Sequence, residues 1–246
     1  PLYDALEIKY MDEKFPSDVA CDLKVTGNSV DCDEQNNLVV KAYNLLAKDF
    51  RLPRVHTHLY KHIPSQAGLG GGSSDAAFMI RLLDERFRLN IGNPEMERYA
   101  ALLGADCAFF IEAEPSYAEG IGNELVPVDG PQGNLNGYFL ALVKPDIAVS
   151  TKDAYCAITP QKPVKNCRVI VRQPIETWKD ELVNDFEKPI FKMHPDLAEI
   201  KQKLYDLGAV YAAMSGSGSA IFGIFKQHPE GIESQFKEMF CEVLKL

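Results

Sequence analysis

A chain of 246 residues, 46% hydrophobic and 25% charged, is long enough to bury one sizeable core or two smaller ones. Its net charge of −9, with no block rich in Lys and Arg, argues against nucleic acid or an anionic membrane as partner. No apolar run reaches the roughly 18 residues needed to span a bilayer, no signal-peptide pattern opens the chain, and the scattered cysteines form no C-x-x-C pair, so reduced thiols in a cytoplasm are expected.

In chain order, "ALEIKYM" and "CDLKVTG" alternate apolar and polar residues and predict two strands of a β-meander, with a turn around Lys14–Asp18. "NNLVVKAYNLLAKDF" has helical spacing, with Leu38, Ala42, Leu45 and Leu46 on one face. "RVHTHLYKHIP" predicts a strand running into the glycine-rich "SQAGLGGGSSDAA". Ala76, Ile80, Leu83 and Phe87 then make the apolar stripe of a helix. A further helix is expected at "NPEMERYAALLG", with Asn93 as its cap, Pro94 in its first turn and Gly104 as its stop. Asn123 to Asn136 reads as a loop and "NGYFLALVKP" as a buried strand. Helices follow around Thr151–Ile158, Trp178–Phe186 and Pro195–Leu207, then strand, Gly/Ser turn and strand in "AVYAAMSGSGSAIFGIF", and a closing helix in "EGIESQFKEMFCEVL". The mixture predicts the α+β class, with a change of domain near Val143–Ser150 that gives segments 1–143 and 144–246. His56, His58 and His62 alternate on one strand face. With no Cys or carboxylate at ligand spacing, they read as solvated side chains and not as a zinc pair.

A strand, then Gly68–Gly72, then Ser73 and Ser74 opening a helix, has the make-up of a phosphate-binding turn. Glycines permit positive φ and a close approach of a polyanion to the backbone. The first helical turn offers N–H donors and the positive end of the dipole. Serine hydroxyls can donate to phosphate or help hold Mg²⁺. No G-K-[ST] follows the glycines, so this is not a Walker A loop. The chain also lacks the parallel βαβ pattern with an acid about 20 residues on that would make a Rossmann fingerprint. The plainer reading is a tight turn with capping serines, although three consecutive glycines are costly to order for that alone.

"IPSQAGLGGGSSDAA" resembles the second motif of the GHMP kinases, the superfamily of galactokinase and the homoserine, mevalonate and phosphomevalonate kinases. The triple glycine with "SSDAA" is most similar to one branch, whose acceptor is a cytidyl diphosphate-linked polyol of the non-mevalonate isoprenoid pathway. "GADCAFF", "YAEGIGNELVPV", "VKPDIAVSTKDAY" and "MSGSGSAIFGIF" resemble further segments of that branch, in the same order. The resemblance implies a two-domain GHMP kinase fold, with a ribosomal-protein-S5-like N-terminal domain and a ferredoxin-like C-terminal domain. It implies transfer of the γ-phosphoryl of ATP, with Mg²⁺, to the 2-hydroxyl of the polyol. Asp106 would be the catalytic acid/base. Pro64, Gln66, Ala67, Gly68, Leu69, Gly70, Gly71, Gly72, Ser73 and Ser74 would hold the triphosphate, with Asn37, Leu38 and Lys61 near the adenine. Tyr155 would stack on cytosine and Thr151 would sit by the diphosphate or polyol, with Gly216 and Ser217 also on the substrate side. No resident metal is implied, Mg²⁺ arriving with ATP near Ser74. By the residues alone Asp106 equally suits a helix cap, Tyr155 and Leu38 the core, Lys61 an exposed strand face, and Ser215–Ser219 a plain hairpin turn.

The family's first strand carries "P-x-A-K-I-N-L", whose lysine pairs with the catalytic aspartate, and then a Y-H dipeptide that touches cytosine. Neither occurs here, and Lys9 in "EIKYM" corresponds to a later strand. The expectation is an N-terminally truncated fold that starts a β-hairpin late and, as it stands, is inactive or nearly so. Competing readings are a homoserine- or mevalonate-type kinase, and a non-catalytic nucleotide-binding protein of the same fold. ATP and the cytidyl diphosphate-linked polyol are the expected partners of a monomer or weak homodimer.

Overall fold

A computed structural model describes residues 2–30, 32–128 and 135–246. They fall into two compact units: Tyr3–Ser65 with Gly70–Pro127, and Leu2 and Gln66–Leu69 with Val128–Leu246.

The first unit contains strands β1 (Ala5–Tyr10), β2 (Cys21–Gly27) and β3 (Val55–Lys61), with helix α1 (Leu38–Leu46) between β2 and β3. β3 lies in the middle of the sheet, antiparallel to β1 and parallel to β2. The expected β-meander is therefore corrected, because β1 and β2 are not neighbours. After β2 the chain crosses through α1, and a crossover of that kind returns the next strand parallel to the first. A parallel βαβ unit thus exists, contrary to the reading above, but the glycine loop follows its second strand. Val39, Val40, Ala42, Tyr43 and Leu46 are the buried residues of α1. Leu38 and Leu45, expected on that face, are only partly buried, since "LVVKAYNLL" is apolar nearly all round and its valines take the inner side.

Helices α2 (Gly71–Phe87), α3 (Asn93–Leu103) and α4 (Phe109–Glu112) and the hairpin of β4 (Ser116–Glu119) and β5 (Glu124–Pro127) complete the unit. On α2 the expected stripe is inside, with Ala76, Ile80 and Leu83 fully buried alongside Met79 and Ala77 in one core with α1 and the sheet. Fully burying each of the larger side chains contributes about 1.5–3 kcal/mol. Asn93 is the first residue of α3 and not its cap. Gly92 precedes it, and the Asn93 amide donates instead to Glu112 at 3.1 Å. The strand at Glu124–Pro127 corrects the expected loop there, and 129–134 lie outside the described residues.

The second unit comprises β6 (Phe139–Lys144), α5 (Thr151–Ala157), α6 (Cys167–Ile170), α7 (Trp178–Glu181), α8 (Glu187–Met193), α9 (Pro195–Asp206), β7 (Tyr211–Met214), β8 (Ile221–Phe225) and β9 (Phe240–Lys245). Its sheet has the order β7-β8-β6-β9, antiparallel throughout. β6 pairs on both sides with strands beyond residue 220, so it stays whole within this unit, and the division falls near Val128 instead of after Val143. The helix expected over Trp178–Phe186 is a single turn, and α8 begins after it. The expected closing helix is a strand. Gly231 (φ +70) and a 3₁₀ turn at Ile232–Gln235 precede it, and β9 then covers the edge that β6 would otherwise leave unpaired. Tertiary pairing overrides the helical spacing of "SQFKEMFCEVL". No helix among the described residues is long and apolar enough to cross a membrane.

Candidate active site

β3 delivers the chain to the glycine loop, and its alternation decides what it carries. Val55, Thr57, Leu59 and Lys61 all point inward. Lys61 is thus buried, not on an exposed strand face, and its ammonium is ion-paired with Asp4 and with Asp75, the latter at 2.7 Å. The outward histidines His56 and His58 are half-exposed, and each also has a partner. His56 Nδ1 lies 2.8 Å from Asp22 Oδ2, and His58 Nε2 lies 2.8 Å from Thr26 Oγ1. The register that sets Asp22 beside His56 explains the first pair.

In the first unit, Gly70 leads into α2 with φ +68 and no side-chain cap bond. The Ser74 N–H closes a helical bond to the Gly70 carbonyl at 2.8 Å. The N–H groups of Gly71, Gly72 and Ser73, one turn earlier, have no acceptor within the helix. A β-carbon at Gly70 would stand 2.9 Å from the Phe110 ring. At Gly72 it would stand 3.9 Å from Leu38, the first residue of α1, whose N-terminus Asn37 caps by accepting from the Val39 N–H at 2.9 Å. α2 packs on the short 3₁₀ turn Ala105–Cys107, where burial pushes the pKa of the Cys107 thiol up and the nearby Ser73 hydroxyl offsets part of the rise. Asp106 is exposed on that turn. The β4–β5 turn approaches it closely enough that a β-carbon on Gly122 (φ +102) would lie 3.7 Å from Asp106 Oδ1. Three distant motifs, the glycine loop, "GADCAFF" and "YAEGIGNEL", are therefore adjacent. Pro64 is half-buried in the approach to the loop, near Ser65, whose hydroxyl donates to the Ser29 carbonyl at 3.0 Å.

Gln66–Leu69 folds with the second unit. The Ser219 and Ala220 N–H groups donate to the carbonyls of Gln66 (3.3 Å) and Ala67 (3.1 Å), and the Ser215 hydroxyl donates to the Gly68 carbonyl at 2.8 Å. Ala67 is buried and Leu69 packs beside it in a small cluster with Leu142 and Ala220. Gly216 carries φ +51, and Ser217 Oγ lies 3.2 Å from Thr151 Oγ1 at the start of α5. On the same helix Tyr155 is 64% exposed and meets the edge of Phe186 at 5.0 Å. An exposed ring of that kind is available for stacking, and its core-packing reading is corrected.

Sequence reasoning missed four polar anchors. The Asn184 amide donates to the carbonyls of Met214 (2.8 Å) and Gly216 (2.7 Å). Buried Glu187 accepts from the Met214 N–H at 2.8 Å and pairs with Lys201 at 2.6 Å. Together these two residues hold the "SGSGS" turn from behind. Asp4 and Asp75 are the others. Burial holds the Asp75 carboxyl above the usual carboxylate range against the pull of Lys61, and the charge of Asp4 adds to the rise. The signal for Lys61 was present in the strand alternation, whereas nothing beside either acid in the sequence marks it as a partner for a buried amine.

A helix start without a side-chain cap, preceded by glycines at positive φ, offers backbone N–H donors that suit phosphate oxygens. Among the described residues no cluster of three or more His, Cys, Asp or Glu could hold a metal ion by itself. Two family models match the chain, GHMP kinases N terminal domain over residues 37–113 and GHMP kinases C terminal over residues 168–240. The chain belongs to the GHMP kinases, enzymes that phosphorylate small molecules. It is 50% identical over 241 residues to the 4-diphosphocytidyl-2-C-methyl-D-erythritol kinase of Bacteroides fragilis strain YCH46, covering 98% of this chain and 86% of the relative. The enzyme of that name from Cytophaga hutchinsonii is 44% identical over 207 residues, or 83% of this chain and 75% of the relative. A crystal structure of 4-(cytidine 5'-diphospho)-2C-methyl-D-erythritol kinase superposes with a TM-score of 0.77 at 27% identity, covering 100% of this chain and 87% of that one. The homoserine kinase of C. hutchinsonii, with a TM-score of 0.72 at 14% identity over 98% and 84% of the two chains, shares the fold.

Proposed function

We propose that this protein transfers the γ-phosphoryl group of ATP to the 2-hydroxyl of 4-diphosphocytidyl-2-C-methyl-D-erythritol. The observation that carries the reading is the α2 N-terminus, without a side-chain cap, packed against the turn that bears Asp106. In the first unit the N–H groups of Gly71, Gly72 and Ser73 hold the phosphates, with the Ser74 hydroxyl beside them, and Leu38 and Asn37 stand on the adenine side. Asp106 accepts the proton of the attacking hydroxyl. Mg²⁺, carried in with ATP beside Ser74, supplies neutralisation of phosphate charge. In the second unit Tyr155 stacks on cytosine, and the paired hydroxyls of Thr151 and Ser217 donate to the diphosphate. Gln66–Leu69 and Gly216 shape the backbone around them. Phosphoryl transfer needs positioning and charge stabilisation more than covalent chemistry from the protein, and these groups provide both. The reading takes the protein as cytoplasmic, and as a monomer or weak homodimer.

The test is a panel of acceptors with ATP, followed by ADP release. The cytidyl diphosphate-linked alcohol turns over, against the expectation of a chain inactive as it stands, while homoserine and mevalonate do not. Turnover of either of the latter in its place overturns the assignment, and nucleotide binding without any turnover points to a non-catalytic protein. Within the same assay Tyr155→Ala raises the acceptor KM about tenfold, the usual loss of one base-stacking partner, and moves the ATP KM less than about twofold. An unchanged acceptor KM removes Tyr155 from the site.

A further inference from the structure

Asp4, Lys61 and Asp75 form a charged cluster that the phosphoryl-transfer chemistry does not use. All three side chains are at least 92% buried, with relative exposures of 5%, 4% and 8%. Charges are rarely left so deep unless they are paired and the pairing serves a purpose. Their placement follows from the fold. Ala5 pairs with Tyr60 in the antiparallel β1–β3 ladder, so Asp4, one step earlier, comes beside Lys61 at the end of β3. Asp75 reaches the same ammonium from the second turn of α2.

The cluster also touches the backbone that leads to the phosphate-binding turn. Asp4 Oδ1 accepts from the N–H groups of His62 (2.6 Å) and Ile63 (2.9 Å), while its Oδ2 takes Lys61. On the other flank the Asn28 side-chain amide donates to the His62 carbonyl at 2.8 Å, and its backbone N–H donates to the Lys61 carbonyl at 2.8 Å. The Lys61 ammonium lies 3.4 Å from where a β-carbon on Gly71 would stand, directly beneath the first turn of α2. One lysine is thus tied at once to the strand end, to the segment leaving it and to the helix that receives the phosphates.

We propose that Asp4, Lys61 and Asp75 are positioning residues for the nucleotide, fixing His62–Ile63 and the first turn of α2 in the shape that binds phosphate. They do so without touching the nucleotide themselves, which revises the expectation that Lys61 lies against adenine. The inference rests on the kinase reading above.

Binding of mant-ADP, a fluorescent ADP, tests it, together with the KM of each substrate and amide hydrogen exchange. Asp4→Ala weakens mant-ADP binding about tenfold and leaves the acceptor KM within about twofold. It speeds exchange at His62, Ile63 and Gly71–Ser74 without speeding it in β2 or α3. Asp4→Asn keeps a carbonyl that can accept from the loop N–H groups and recovers affinity to within about threefold of the parent. Should Asp4→Ala not fold, the isosteric Asp75→Asn carries the test, with an expected loss of about fivefold in mant-ADP affinity. Parent-like mant-ADP affinity in these loss variants, or an equal rise in the acceptor KM, overturns the proposal. Failure of the parent protein to bind mant-ADP removes the kinase reading itself and this role with it.

Discussion

Asp106→Asn lowers kcat by about 10³-fold and shifts the ATP KM by less than about threefold. The side chain is exposed on a one-turn 3₁₀ element, so its amide replacement leaves the core of the first unit alone. What changes is the ability to accept a proton from the attacking hydroxyl, a contribution typically of about 10²–10⁴ in rate. The nucleotide is held elsewhere, by N–H groups at the start of α2, so its affinity is spared. Steady-state kinetics with both substrates and a melting curve decide the matter. Retention of more than about a tenth of kcat assigns proton transfer to another group. A fall in thermal midpoint large enough to account for the loss makes Asp106 a structural residue.

Gly68→Ala is the second large effect, and it is an effect on stability. Gly68 has φ +71, and a β-carbon there would stand 2.0 Å from the Ser215 carbonyl oxygen and 3.1 Å from the Gly218 nitrogen. The obstacle is backbone that cannot swing aside. The Ser215 carbonyl accepts from the Gly218 N–H at 2.9 Å, and the Ser215 N–H donates to the Ala220 carbonyl at 2.8 Å. Left-handed backbone strain and the collision together cost about 3–5 kcal/mol, which lowers the melting temperature by about 10 °C or more in a chain of this size. Gly137 and Gly208 provide the controls. Both have positive φ (+89 and +98), but a β-carbon at either would meet nothing within 4 Å, so alanine there costs only the backbone strain, about 1 kcal/mol. If Gly68→Ala melts no lower than Gly137→Ala, the close approach of the two glycine segments is absent in solution.

Local signals placed the elements around the candidate site. The stripe on α2 and the strand, turn and strand around "SGSGS" are decided by neighbours a few residues away and stand where their patterns placed them, whereas α2 opens at Gly71, two residues before the serines expected to open it. The failures share a different cause. β1 and β2 look like successive strands of a meander, yet the strand that separates them in space is β3, which only the α1 crossover can deliver. "SQFKEMFCEVL" has helical spacing, but the open edge of β6 some 100 residues earlier claims it as a strand. Asp4, Asp75 and Glu187 each find a partner far off in the chain, and nothing local says that each will meet a buried amine or N–H group. The alternation along β3 does turn Lys61 inward, against the exposed strand face expected of a lysine there.

The short segment Gln66–Leu69 has a consequence for how the protein is made. Its hydrogen bond from Ser215 to Gly68 joins residues 147 apart, and the second unit borrows these four residues from the middle of the first unit's sequence. Neither unit is therefore a single stretch of chain, and no one cut yields two self-sufficient pieces. Closing so long a loop adds modestly to the entropic toll, which grows only with the logarithm of loop length, but it delays non-local contacts in folding. Residues 66–69 leave the ribosome long before the strands that receive them, and must wait for β7 and β8 to be synthesised before they find their place.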